Sequence, residues 1–200
     1  ILLAPQYLWG SSKVGYRQDN NTQCDRGKRT HVLGYKMTKQ YCVRLEKESL
    51  IFSAAHFITF SGNICERLHG HNYRVFAEVY GPLDENEYVI DFIALRDAFQ
   101  GITQELDHRM LLPESHPTIN VQADEKEVLV TFEDRRWVFP LDDCVILPMN
   151  NTTAERLAEY ISARLMSALK AQGITNIQKL VLGVDENEGQ WAIATTDIAQ

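Results

Sequence analysis

Hydrophobic and polar positions change rhythm several times along the chain, and each rhythm predicts an element. The run "YCVRLEKESLIFSAAH" (41–56) reads as a first strand. In "HNYRVFAEVYG", Tyr73, Val75, Ala77 and Val79 alternate with Arg74, Phe76, Glu78 and Tyr80. That period of two predicts a long strand ending in a turn at Gly81-Pro82. "YVIDF" is a short buried run. Asp91 then caps a helix whose apolar residues, Phe92, Leu95, Phe99, Ile102 and Leu106, recur at helical spacing. "KEVLVTFEDRRWVFPL" predicts a hairpin turning at Glu133–Arg135. A second helix starts from a capping box of Thr152 and Glu155, carries the stripe Leu157, Ile161, Leu165, and stops at Gly173. "IQKLVLGVDENEGQWAIAT" predicts two last strands around Glu186–Gly189. The order is strand, strand, helix, inserted hairpin, helix, strand, strand. It predicts an α+β fold: an antiparallel four-stranded sheet with two helices on one face plus an inserted β-hairpin, the insert covering about 113–147.

Residues 1–36 do not share these rhythms. "GSSKVGYRQDNNTQCDRGKRTH" is polar and aperiodic. It is expected to be an N-terminal extension, poorly ordered or artefactual, with the folded domain spanning 37–200 from Met37. "ILLAPQYLWG" is apolar but short and has no basic segment before it, so it does not read as a signal peptide.

Composition narrows the class. Of the 200 residues, 44% are hydrophobic and 24% charged, which is ordinary for a globular chain, and the formal net charge is -7. That acidic balance argues against nucleic acid and against a membrane surface as partners. No apolar run approaches the roughly 20 residues of a membrane span. Four cysteines at irregular spacing (24, 42, 65, 144) do not suggest a disulfide framework, so a reducing, cytoplasmic setting is expected.

Chemistry concentrates in "FSAAHFITFSGNICERLHGHNYRV", which holds three of the six histidines. Residues two apart on a strand share a face, so His69 and His71 present two imidazoles side by side, with Gly70 allowing close approach to the backbone. His56, at the end of the previous strand, supplies a third nitrogen. Three His ligands leave one position open, the pattern of a catalytic zinc rather than a structural one. Cys65 has three readings from spacing alone: a fourth ligand closing a structural site, a buried thiol, or a base or nucleophile beside the metal.

In order along the chain, "FSAAHF", "CERLHGHNYRV", "LDHRMLLP", "NTTAERLA" and "VDEN" resemble the motifs of the 6-pyruvoyl-tetrahydropterin synthase / 6-carboxy-tetrahydropterin synthase family. The resemblance covers about Tyr41 to Ala194. It implies the tunnelling fold, in which subunits join their sheets into a barrel, as a trimer and then a homohexamer of two stacked trimers with sites between subunits. It implies that His56, His69 and His71 hold Zn2+, that Cys65 is the general base, and that Asp107 and His108 work with it in proton transfer. It implies that Glu186 anchors the pterin ring, a task suited to a carboxylate accepting two parallel N–H bonds, and that Thr153 lies near the pterin. Without it, Thr152 and Thr153 are helix caps and Asp107-His108 a helix end.

The spacing C-x-x-x-H-G-H in "CERLHGH" resembles the bacterial carboxy synthases of the queuosine pathway more closely than the pyruvoyl synthases. That implies 7,8-dihydroneopterin triphosphate as the small-molecule substrate. Arg67 and Arg74 are close to the histidines in sequence, but solvated surface is the first reading for both. Three features depart from the family pattern: Thr152 in place of Pro, the long insert, and Asn187 where a Thr is commoner. Other readings are a pyruvoyl synthase or a side-chain-cleaving paralogue, a zinc hydrolase using Glu66, and a non-enzymatic structural zinc module with one Cys and three His ligands. Glu66 lies three residues before His69, so on a continuous strand it would face away from the metal.

Overall fold

The computed structural model describes residues 39–62 and 64–198. The domain boundary expected at Met37 lies outside the described residues. The strands are β1 (Tyr41–Glu46), β2 (Phe52–His56), β3 (Thr59–Phe60), β4 (Ile64–Cys65) and β5 (His69–Gly81). After helix α1 (Phe92–Leu106) come β6 (Arg109–Pro113), β7 (Asn120–Ala123), β8 (Glu127–Phe132), β9 (Arg135–Pro140) and β10 (Cys144–Leu147). Helix α2 (Ala154–Ala171) and strands β11 (Lys179–Asp185) and β12 (Trp191–Asp197) complete the chain. Among the described residues, no helix is long and apolar enough to cross a membrane.

The fold class is α+β as expected, but the main sheet has seven strands rather than four. Its order is β10-β6-β2-β5-β11-β12, with β1 also on β5. Two causes account for the difference. The run expected as one first strand breaks at a 3-10 turn, Glu48–Leu50, where Leu50 is fully buried. Its two pieces then pair end to end along one edge of the 13-residue β5, β2 with His69–Tyr73 and β1 with Phe76–Gly81. The other cause is that "RMLLP" and "CVIL" are strands β6 and β10. Both run parallel to their neighbours. Parallel neighbours need a crossover of a dozen or more residues. Helix α1 belongs to the connection that lets β6 run parallel to β2, and the insert is the crossover between β6 and β10.

The insert is itself more than a hairpin. β7, β8 and β9 form a three-stranded antiparallel sheet of their own, and β8 turns into β9 at Glu133 and Asp134. Alternation along β6 divides the interior in two. Leu111 faces the main core with Leu95, Phe99, Leu157 and Ile161 of the helices. Met110 and Leu112 face a second core with Val128, Val130 and Phe132 of the insert. The helices therefore cover one face of the sheet, and the insert covers the other face over β6.

The caps are local and specific. Asp91 accepts from Ile93 N and Ala94 N at the start of α1. At α2 the cap is Thr153, which accepts from Arg156 N, one residue later than the expected capping box. Gly173, at φ 83, follows the end of α2 in the left-handed conformation glycine tolerates best.

Candidate active site

The pairing of β2 with β5 sets His56 opposite His69 and Ala54 opposite His71. The ligand atoms of His56, His69 and His71 all lie within 4.8 Å of one another. The cluster grades from inside to outside: the His56 side chain is 1% exposed, His71 20% and His69 39%. Gly70 allows the close approach expected of it. A Cβ there would come within 3.0 Å of the Ala54 carbonyl oxygen, so the close approach is by the neighbouring strand.

Backbone carbonyls fix the innermost and the outermost ring, those of His56 and His69. His56 Nδ1 lies 2.8 Å from the Thr152 carbonyl and His69 Nδ1 2.8 Å from the Arg67 carbonyl. A carbonyl only accepts, so both Nδ1 atoms carry a proton, and in the neutral form of each ring Nε2 is the atom with the lone pair. The Nε2 atoms of His56 and His71 are buried without a hydrogen-bond partner. Glu186 Oε1 sits 3.0 Å from His56 Nε2 and 3.6 Å from His71 Nε2. A carboxylate against bare imidazole lone pairs is repulsive. A positive charge, on a ring or as a cation among the three nitrogens, removes the conflict. The donor set thus fits a metal ion, with the Thr152 and Arg67 carbonyls orienting two of the rings.

The electrostatics agree. His56 beside it holds the Glu186 carboxyl below its ordinary value, against the opposing effect of burial. Burial lowers the His71 imidazole, which favours the neutral, ligating form. Burial raises the Tyr73 phenol, whose hydroxyl donates to Glu186 Oε1 at 3.5 Å.

The turn carrying Glu186 is built by its neighbour. Asp185, 1% exposed, accepts from Gly189 N and Gln190 N. A cavity of about 430 Å³ opens beside it, bordered by His71, Arg74, Asp185 and Glu186. A second, of about 600 Å³, is bordered by Ser53, Gly70, His71, Asn72, His108 and Arg109. The two meet at Gly70–Asn72.

The other expected residues fall in different places. Asp107 and His108 form a pair, His108 Nδ1 lying 2.9 Å from Asp107 Oδ2, and the His108 ring is 82% exposed at the cavity edge. The Ser53 N–H, donated to Asp107 Oδ1 at 2.8 Å, holds that carboxyl below its usual range, and His108 adds to the effect. Thr153 caps α2. Cys65 is 4% exposed and packs in the second core, where burial raises its thiol; its Sγ donates to the Glu66 carbonyl at 3.4 Å. It is not among the atoms clustered with the imidazoles, so the closed site of one Cys and three His is not formed.

Two contributions escaped the sequence. Glu66 Oε2 is 3.9 Å from His69 Nε2. The chain between Cys65 and His69 is not a strand, so the period-of-two argument that turned Glu66 away does not apply. Thr152 acts on His56 through its carbonyl, which no side-chain pattern announces; its hydroxyl donates to the Phe57 carbonyl. Only the "VDENEG" turn, with Asp at its start, offered a sequence signal for Asp185.

A family model described as 6-pyruvoyl tetrahydropterin synthase matches residues 45–197. The chain belongs to this family. A Methanocaldococcus jannaschii protein with the provisional name 6-carboxy-5,6,7,8-tetrahydropterin synthase is 33% identical over 144 residues, covering 72% of this chain and 88% of that one. A shorter match, 38% identical over 60 residues, is to the dihydroneopterin monophosphate aldolase of Pyrococcus furiosus, covering 30% of this chain and 50% of that one. Among solved structures, 6-pyruvoyltetrahydropterin synthase of Plasmodium vivax superimposes with a TM-score of 0.75 at 29% identity, covering 80% of this chain and all of that one. That structure is of a variant in which a catalytic glutamate is replaced by alanine. The synthase family thus supplies both the fold and a pterin-processing, lyase-type chemistry for the present chain.

Proposed function

We propose that this synthase-family member is a zinc-dependent lyase that converts 7,8-dihydroneopterin triphosphate and water to 6-carboxy-5,6,7,8-tetrahydropterin, acetaldehyde and triphosphate, the reaction of the queuosine pathway. The observation that carries the reading is the convergence of the three imidazoles, two of them turned by backbone carbonyls so that Nε2 faces inward. His56, His69 and His71 would hold the zinc. When bound, zinc supplies Lewis acidity toward the hydroxyls of the substrate side chain.

The protein residues do the rest. Glu186, beside the imidazoles, accepts N–H bonds from the pterin ring and fixes it over the cluster, with Thr153 near the ring. Cys65 removes a proton as the general base, and His108, oriented by Asp107, carries another at the cavity edge. Subunits complete one another's sites in a homohexamer. Support for assembly comes from β12, the last strand of the sheet, whose outer edge is unpaired among the described residues.

A specific observation favours a second reading of the base. The Cys65 thiol lies in an apolar cluster, whereas the Glu66 carboxylate is near His69. A carboxylate base would suit side-chain cleavage of the kind named for the Pyrococcus furiosus relative, or pyruvoyl formation. Product analysis decides. The zinc-loaded protein is incubated with 7,8-dihydroneopterin triphosphate, and pterins and aldehydes are identified by mass spectrometry, with Cys65→Ala and Glu66→Gln beside the parent. Carboxytetrahydropterin with acetaldehyde, lost in Cys65→Ala and kept in Glu66→Gln, is the expected result. A pyruvoyl or hydroxymethyl pterin, lost in Glu66→Gln, replaces it with the second reading.

A further inference from the structure

Between ligands His56 and His69 the chain leaves the main sheet, and this excursion carries both candidate bases. Among the described residues, its only strand pairing is the short β3–β4 ladder, Thr59 with Cys65 and Phe60 with Ile64. A two-stranded hairpin of this size is not stable by itself in water. Support has to come from outside, and most of it comes from the insert and the loop leading into it. Trp137 stacks on Phe57, the residue after ligand His56, with ring centroids 4.7 Å apart. His116 Nε2 meets Thr59 Oγ1 at 2.8 Å, its Nδ1 accepting from Thr118 N and Ile119 N. From outside the insert, Asn151 adds its amide to Thr59.

These contacts hold the ascending arm. On the descending arm, Arg135 Nη1 donates to the Cys65 carbonyl at 3.0 Å and to the Glu66 carbonyl at 3.2 Å. One Nη1 has two N–H bonds, one for each of the two consecutive carbonyls. We propose that Arg135 is a positioning residue for the reaction: it clamps the peptide between Cys65 and Glu66 and thereby makes the insert part of the active-site framework. This rests on the reading above, in which one of those two side chains is the base. The register is favourable, because Arg135 begins β9 directly after a two-residue turn, which fixes its backbone at the edge of the insert. The charge also bears on the thiol, since the guanidinium opposes the rise that burial imposes on Cys65.

The test compares the full-length parent with Arg135→Ala and Arg135→Lys. Zinc per chain, kcat and KM for dihydroneopterin triphosphate, and the rate at which iodoacetamide labels Cys65, read by peptide mass spectrometry, are all measured. In Arg135→Ala the arm opens locally, and labelling of the buried thiol rises about tenfold. Misplacement of the base lowers kcat about tenfold, with KM changed less than about twofold. Zinc content stays at the parent's level, and Arg135→Lys, which keeps a cationic N–H donor without the planar guanidinium, recovers part of both effects. Parental labelling and parental kcat in Arg135→Ala overturn the proposal, as does loss of zinc, which would make Arg135 a general structural support. Absence of turnover in the parent removes the proposed function instead, and the labelling contrast still decides the clamp.

Discussion

Strand β5 has two halves that share one backbone and little else. From Tyr73 to Gly81 it is flanked on both edges for most of its length, by β1 on one side and β11 on the other, and Tyr73, Val75, Ala77 and Val79 are almost wholly buried. From His69 to Asn72 its one strand partner among the described residues is β2, and its residues are exposed or half-buried. Polar imidazoles occupy the half with a free edge, and aliphatic side chains occupy the half without one. The lesson is a division of labour along one strand. Rigidity is generated where the chain is enclosed and is used a few residues away, where the enclosure ends and a ligand has room to enter.

Mutations at the two ends should separate along the same line. The largest effect is expected at the open end. His71→Ala removes one of the three proposed ligands, so zinc affinity should fall by more than the roughly 10–100-fold that loss of an outer-shell partner costs, taking turnover with it. Metal analysis after dialysis and an activity assay measure this, while the unfolding midpoint of the metal-free protein stays near the parent's. Retained zinc would remove His71 from the ligand set.

At the enclosed end the order reverses. Leu182 of β11 pairs with Ala77 and is fully buried in the main core. Leu182→Ala should cost about 2–5 kcal/mol in denaturant unfolding and leave zinc binding intact. A smaller loss is expected at Gly183, where a Cβ would meet the Phe76 ring at 2.1 Å, so that the ring must shift. Gly183→Ala should cost about 1–3 kcal/mol as overpacking, again without loss of metal. If either core variant lost zinc as readily as His71→Ala, the two halves would not be separable.

The smallest effect concerns pH. The Ser53 N–H holds the Asp107 carboxyl below its ordinary value. A carboxyl that is more acidic in the folded state stabilises the fold above its unfolded value, about pH 4, and loses that contribution as pH falls through the folded value. Asp107→Asn should therefore flatten the acid limb of stability below about pH 4. Denaturation midpoints from neutral pH down to pH 2 test this, and an unchanged acid limb would refute it.

Much of this division was legible in the residues. The alternation from Tyr73 to Tyr80 marked the enclosed half of β5, and H-G-H with His56 marked the open half. The stripe of α1 and the Asp91 cap were equally plain, since both follow from helical spacing and a local side chain. What stayed hidden depends on contacts distant in sequence. "RMLLP" and "CVIL" are too short for periodicity to separate a parallel strand from a loop, and only their mutual pairing makes them β6 and β10. Glu66 was misplaced because a strand rule was applied to a loop. The orienting role of Thr152 belongs to a carbonyl that every residue possesses.

That carbonyl also sets an order of events. Thr152 lies 96 residues after His56. A ribosome that has released Val75 has delivered all three imidazoles, yet the acceptor that turns the His56 ring has not been synthesised. The chain must be made through Thr152, just before the cap of α2, before that oxygen can reach Nδ1. In the proposed zinc site, full-strength metal capture would thereby be reserved for a chain long enough to carry that carbonyl, and truncated chains that still contain all three imidazoles would be poor competitors for metal.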